Sequence, residues 1–259
     1  MQIEYSQNQS KAPEFAIYKQ SNVEKENERT PDLSGGAESA VRTSAHNPST
    51  SDRVFRHGNP SRKQAALTFD DGPDMYFTTR ILNILKEHGI HATFFIMGKR
   101  ADAHPEIVRR IVSEGHAIGN HTWDHPNLTK LEPGKIKDEI NKTEQKLDKI
   151  VGYHPSIFRP PYGSASPSVI REISAMGYYT IDWSVDTRDW AGTPPSQIMK
   201  YLKSELGPGG IILQHCAGGK GENLTNTLNA LPQIISYMKQ NGYKFVTIPE
   251  MLNVPAAKK

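Results

Sequence analysis

The chain has 259 residues, a formal net charge of +3 and a hydrophobic share of 36%. That length holds one large α/β domain plus an extra segment, or two small domains, and the low apolar share points to a part that forms no core. The single cysteine, Cys216, excludes an intrachain disulfide, no apolar run nears the roughly 18 residues of a membrane-spanning helix, and no Lys/Arg block marks a nucleic-acid footprint.

Residues 1 to about 60 are rich in Ser, Asn, Gln, Lys and Glu, and the start, "MQIEYSQNQSKAPEF", has no apolar core of a signal peptide. "SGGAESAVRTSAHNPSTSD" (34–52) carries neither a helical nor a strand period and is dense in loop formers. Residues 1–60 read as a linker, stalk or loosely packed extension. The competing reading is a small subdomain built on Phe15, Ile17 and Tyr18.

From residue 64 the character changes, and the folded domain is placed at 61–255. "AALTF" (65–69) predicts a buried strand. The apolar stripe at 77, 81, 84 and 85 predicts a helix over 76–89, closed by Gly89. A strand is expected at 92–98, a helix at 104–115 and a short strand at 116–121. "PGKIKDEINKTEQKLDKIVG" (133–152) reads as an amphipathic surface helix. The alternation continues with a strand in "SIFRPPYG" (156–163), a helix at 166–177 and strands near 178–186. It ends with a helix at 194–207, a strand at 209–215, a helix at about 223–241 and a strand at 243–248.

Strands alternating with helices imply a parallel sheet with crossover helices. No phosphate-binding glycine fingerprint follows the first strand, which disfavours a nucleotide-binding sheet. The expected fold is α/β, a deformed (β/α) barrel of about seven to eight parallel strands, preceded by the polar N-terminal extension. In such barrels the chemistry sits at the C-terminal ends of the strands. The polar residues obey that rule: Asp70 and Asp71, His121, Arg159, Asp186 to Trp190, and His215 all stand at expected strand ends.

In "NHTWDHPN" (120–127), His121 and His125 are four apart, a spacing that lets two imidazoles meet one metal, on a bend because Pro126 disfavours helix at His125. Asp71 would complete a two-histidine, one-carboxylate set that leaves positions open for water, as a catalytic divalent site requires. An ion there also offsets the cost of placing two carboxylates side by side. Asp70 is then available as a general base toward a metal-activated water, with Arg159 to orient it. His215 ends the apolar strand "IILQH" and could protonate a leaving group, oriented by Asp189. Tyr162 could offer a backbone N–H to an oxyanion, and Trp190 with Leu213 could wall a small apolar pocket. His88, His91, His104, His116 and His154 receive no role. Cys216 is adjacent to His215, but neighbours in a strand point to opposite faces.

"TFDDGP" (68–73), "HTWDH" (121–125), "RPPYG" (159–163), "DTRDW" (186–190) and "LQH" (213–215) occur in order. Together they resemble the five motifs of the polysaccharide deacetylases, carbohydrate esterase family 4, or NodB homology domain, over residues 64–250. The resemblance implies a deformed β/α barrel that removes acetyl groups from N-acetylglucosamine-type polymers. It implies Asp70 as general base, Asp71, His121 and His125 as ligands of zinc (or another divalent ion such as cobalt), and Arg159 as the partner of Asp70. It further implies Tyr162 as oxyanion donor, Asp189 tuning the general acid His215, and Trp190 with Leu213 as the acetyl-methyl pocket. Some members carry an α-hydroxylated proline that maps to Pro161. Many follow the final His with Asp, where this chain has Cys216.

Three rival readings accompany this one: a non-haem iron oxygenase using the same facial triad, a catalytically silent carbohydrate-binding relative, and an O-acetyl esterase acting on xylan. Bacterial peptidoglycan is the expected polymer, with chitin oligomers accepted. The expected setting is extracellular or cell-wall associated, with a signal or anchor absent from this sequence, and a monomer with no stable protein partner.

Overall fold

The structure, a computed structural model, describes residues 53–218 and 223–258. Residues 1–52 of the expected linker at 1–60, and the alternative core of Phe15, Ile17 and Tyr18, lie outside the described residues. Among these residues the chain runs β1 (Val54–Phe55), β2 (Gln64–Gly72), α1 (Phe77–His88), β3 (Thr93–Ile96), α2 (Gly98–Ala103), α3 (Pro105–Ser113) and β4 (Ala117–Asn120). It continues with α4 (Pro133–Val151), β5 (Ile157–Phe158), α5 (Pro167–Ala175), β6 (Tyr179–Ile181) and β7 (Val185–Asp186). The remaining elements are α6 (Pro195–Glu205), β8 (Gly210–His215), α7 (Thr225–Gln240), β9 (Lys244–Phe245) and α8 (Ile248–Leu252).

The helices begin and end where local chemistry dictates. Proline opens α3, α4, α5 and α6, where its missing N–H is no loss. Gly89 and Gly152 close α1 and α4 in the left-handed conformation. Three short elements leave no periodic trace in the sequence: β1, α2 and α8. The strand expected at 243–248 is cut to Lys244–Phe245, because Thr247 and Glu250 form a capping box that starts α8. The strand expected to reach His121 stops at Asn120.

The strands are parallel and lie in the order β1-β6-β5-β4-β3-β2-β8-β7, with β9 beside the start of β2. The edge strands β1 and β7 do not pair with each other, so the sheet is a curled half-barrel, the deformed form of the expected barrel. Val54 and Phe55 pair with Thr180 and Ile181, so this sheet begins at Val54.

Alternation along each strand divides the interior in two. Ala65, Leu67 and Phe69 of β2 face outward into the large cluster shared with α1, α3, α6 and α7. Ala66 joins Phe95, Ile157, Ile181 and Ile211 in an inner cluster, plugged from below by Ile248 and Met251 of α8. Each of these fully buried large side chains contributes roughly 1.5–3 kcal/mol. On the same inner line, Ala66 is followed by Thr68 and Asp70, Ile211 by Leu213 and His215, and Ile157 by Arg159. The inner face therefore turns from an apolar floor to a polar rim at the C-terminal ends of the strands.

Candidate active site

Two adjacent carboxylates in a regular strand would point to opposite faces. Here the β2–β3 register shifts between Phe69 and Gly72, and Asp71 takes a left-handed φ of 70°. That irregularity brings both carboxylates to the rim, with Asp70 Oδ2 3.8 Å and Asp71 Oδ1 3.4 Å from the same His121 Nε2. A left-handed non-glycine residue is strained, and such strain gathers at functional sites. Thr122, His125, Tyr162 and Arg188 are left-handed as well, all beside the same rim.

His121 directly follows β4, and its Nδ1–H donates to the Arg159 carbonyl at 2.7 Å. That bond leaves Nε2 with its lone pair facing Asp71. His125 lies on the expected bend, where its N–H donates to Thr122 Oγ1 at 3.1 Å. The bend is held by Asn120, fully buried, whose Oδ1 accepts from Thr122 N at 2.9 Å. Glu139 of α4 accepts from the backbone N–H groups of Trp123 and Asp124 at 3.0 and 3.3 Å.

Asp71 Oδ1 is 3.4 Å from both His121 Nε2 and His125 Nε2, and the three ligand atoms form a group that could hold a metal ion. Ligands at about 2.1 Å from a tetrahedral centre lie about 3.4 Å apart, so the spacing fits a divalent ion. The donor set agrees: Asp71 Oδ1 is buried and has no hydrogen-bond partner. Burial pushes the Asp71 carboxyl up, but the neighbouring imidazoles, His121 first and then His215 and His125, hold it well below the usual range. Burial and the His121 charge push His125 down, toward the neutral imidazole a metal requires.

On one side of this triad stands Asp70, 3% exposed. Its Oδ1 accepts from Arg159 Nη1 at 2.7 Å. Arg159 is fully buried, donates also to Thr68 Oγ1 at 2.8 Å and to the Asp182 carbonyl at 3.2 Å, and lies 4.0 Å over the Phe95 ring. This makes Asp70 a carboxylate with one oxygen fixed and the other turned to the metal position.

On the other side stands His215, Cα partner of Asp70 across the β2–β8 ladder. Its Nδ1–H donates to Asp189 Oδ1 at 2.8 Å and its backbone N–H to Asp189 Oδ2 at 2.9 Å. Burial pushes the imidazole down, but the charge and hydrogen bond of Asp189, with Asp71 and Asp70, raise it to about 10. The Asp189 pairing favours the protonated imidazole, the form that can give a proton.

Tyr162 sits in a 3-10 turn over Pro161–Gly163 with φ 60°, and its ring meets His125 at 4.5 Å between centroids. Gly163 fits beneath the Trp183 ring, where a Cβ would come within 2.8 Å. Leu213 is buried in β8, and Trp190 is 44% exposed beside Asp189. Cys216 points outward as expected: its buried thiol packs under Gly72 and donates to the Asp70 carbonyl at 3.3 Å. All ten expected site residues therefore stand at the C-terminal rim. Asn120, Thr68, Glu139, Trp183 and Thr227 support that rim and were not singled out, because none has a diagnostic spacing.

Residues 57–181 match the polysaccharide deacetylase family. A peptidoglycan-N-acetylglucosamine deacetylase of Bacillus cereus is 41% identical over 202 residues, 78% of this chain and 73% of that protein. The Listeria monocytogenes peptidoglycan-N-acetylglucosamine deacetylase PgdA is 38% identical over 74% of this chain, a match that spans only 39% of the Listeria protein. The crystal structure of a peptidoglycan N-acetylglucosamine deacetylase with 4-naphthalen-1-yl-N-oxidanyl-benzamide superposes with a TM-score of 0.77 at 40% identity, covering 79% of this chain and 95% of that one. Similarity of this degree over most of both chains, on the fold and rim just described, leaves one assignment: this chain belongs to the polysaccharide deacetylase family.

Proposed function

We propose that this chain is a zinc-dependent hydrolase that removes acetyl groups from N-acetylglucosamine units of peptidoglycan at the cell wall, accepts chitin oligomers, and releases acetate. The observation that carries this reading is the pairing of a metal-fit triad with two separately held proton carriers, Asp70 on Arg159 and His215 on Asp189. The substrates named for the relatives support the choice of polymer.

Asp71, His121 and His125 would hold the ion. When bound there, it supplies Lewis acidity that polarises a carbonyl and eases deprotonation of water. Asp70, its Oδ1 fixed by Arg159, takes a proton from the attacking water through Oδ2. As the water oxygen bonds to the acetamide carbon, the Tyr162 N–H donates to the oxyanion. His215 gives its Nε2 proton to the amide nitrogen as the C–N bond breaks, leaving glucosamine and acetate. Asp189 keeps the imidazolium oriented throughout, and Trp190 with Leu213 receives the acetyl methyl.

The test is acetate release from peptidoglycan and from a chitin oligomer by chelator-treated protein, before and after zinc is restored. Release only with zinc supports the reading. Release from acetylated xylan alone would overturn it in favour of an ester hydrolase.

A further inference from the structure

Asp189 is held by more than its histidine. Its Oδ1 accepts from His215 Nδ1 at 2.8 Å and from Trp190 N at 3.0 Å. Its Oδ2 accepts from His215 N at 2.9 Å and from the hydroxyl of Thr227 at 2.9 Å. Thr227 is 1% exposed and lies in the first turn of α7, 38 residues beyond Asp189. It is the one side-chain hydroxyl on this carboxylate among the described residues.

From this geometry we infer that Thr227 is a positioning residue for the proton-donating histidine, acting through Asp189. The inference rests on the proposed roles of His215 and Asp189. A carboxylate that orients an imidazole must itself be kept from rotating about its Cβ–Cγ bond. Two of its donors, His215 N and Trp190 N, come from the backbone of β8 and of the 3-10 turn Asp189–Ala191, in that order. They reach opposite oxygens, Trp190 N on Oδ1 and His215 N on Oδ2, and hold the carboxylate plane as long as the turn and β8 stay in place. Thr227 anchors the plane from a third element, α7, which packs on α1 and α6 and also holds the turn through Asn226 Nδ2 on the Gly192 carbonyl at 3.1 Å. A buried hydroxyl on a charged acceptor also keeps Oδ2 from seeking another donor, such as a substrate hydroxyl or water, which would turn the ring of His215 off its target. Groups outside the first layer of a catalytic site commonly set its orientation in this way.

The effect belongs to the chemical step rather than to substrate capture. Thr227 is buried and its hydroxyl is spent on Asp189, so its loss should leave KM alone and lower kcat. Loss of one hydrogen bond to a charged acceptor corresponds to about a tenfold fall in rate.

The experiment uses full-length protein loaded with zinc and acetate release from a chitin oligomer, comparing wild type with Thr227→Val, Thr227→Ala and Thr227→Ser, each also in an Asp189→Asn background. Valine keeps the shape without the hydroxyl, alanine avoids pressing a methyl group on the carboxylate, and serine keeps the donor. Expected is a roughly tenfold fall in kcat for Val and Ala at unchanged KM and zinc content, recovery to within about twofold for Ser, and less than about twofold further loss in the Asp189→Asn background. Full kcat in both Val and Ala, or a loss that is the same in the Asp189→Asn background, overturns the inference. No acetate release by the wild type would instead overturn the proposed function.

Discussion

Replacing Arg159 with Met strips the counter-ion from a carboxylate whose side chain is only 4% exposed. Arg159 itself is fully buried and bonds Asp70 at 2.7 Å, Thr68 at 2.8 Å and the Asp182 carbonyl at 3.2 Å. Methionine keeps much of the volume and the packing on Phe95, so the change removes the charge together with its hydrogen bonds to Thr68 and Asp182. Removing one partner of a buried ion pair costs about 3–5 kcal/mol. For a domain of this size that is a fall in Tm of roughly 6–20 °C. The assay is urea unfolding of metal-free protein in chelator, for Arg159→Met alone and combined with Asp70→Asn. The second substitution removes the stranded charge and should recover most of the loss. Adding zinc should also shrink the penalty, because a nearby dication offsets the Asp70 charge. A loss below about 1 kcal/mol in metal-free protein, or no recovery with Asp70→Asn, would refute the reading of Asp70 as a carboxylate dependent on Arg159.

Other perturbations test other parts of the site and fold. Asp189→Asn removes the strongest influence raising His215 toward 10, so the alkaline limb of the kcat/KM profile should move about 1–3 pH units lower; an unmoved limb would disconnect His215 from the proton transfer. His125→Ala leaves two of the three candidate ligand atoms; after loading with zinc and gel filtration, wild type should retain about one ion per chain and the variant should not, read by elemental analysis. His116 accepts a hydrogen bond from Ala92 N–H at 3.1 Å, and burial, with the His91 charge, pushes its imidazole down to about 4. The unfolded chain binds that proton from about pH 6.5 downward and the folded chain only near 4, so stability should fall by about 3 kcal/mol over that interval and His116→Asn should flatten the fall. Gly72→Ala places a Cβ 2.4 Å from the Cys216 sulfur and should cost roughly 1–3 kcal/mol in denaturant unfolding, relieved by Cys216→Ala.

The amino-acid sequence by itself determined the alternation of strands and helices, the long amphipathic helices and the identity of the rim residues. Helical stripes such as 77, 81, 84 and 85 are local, and a strand that ends in a turn delivers its last polar residue to the rim whatever its neighbours are. Short elements escaped because two to six residues carry no period, as β1, α2 and α8 demonstrate. What only the tertiary structure decided is which atoms meet. Asp70 and Asp71 face one ion position because β2 slips register against β3 and Asp71 turns left-handed. Arg159 reaches Asp70 from 89 residues away, and Thr227 reaches Asp189 from 38. Contacts of that kind depend on strand order, register and helix docking, quantities set by the packing of the whole chain and not by the spacing of residues along it.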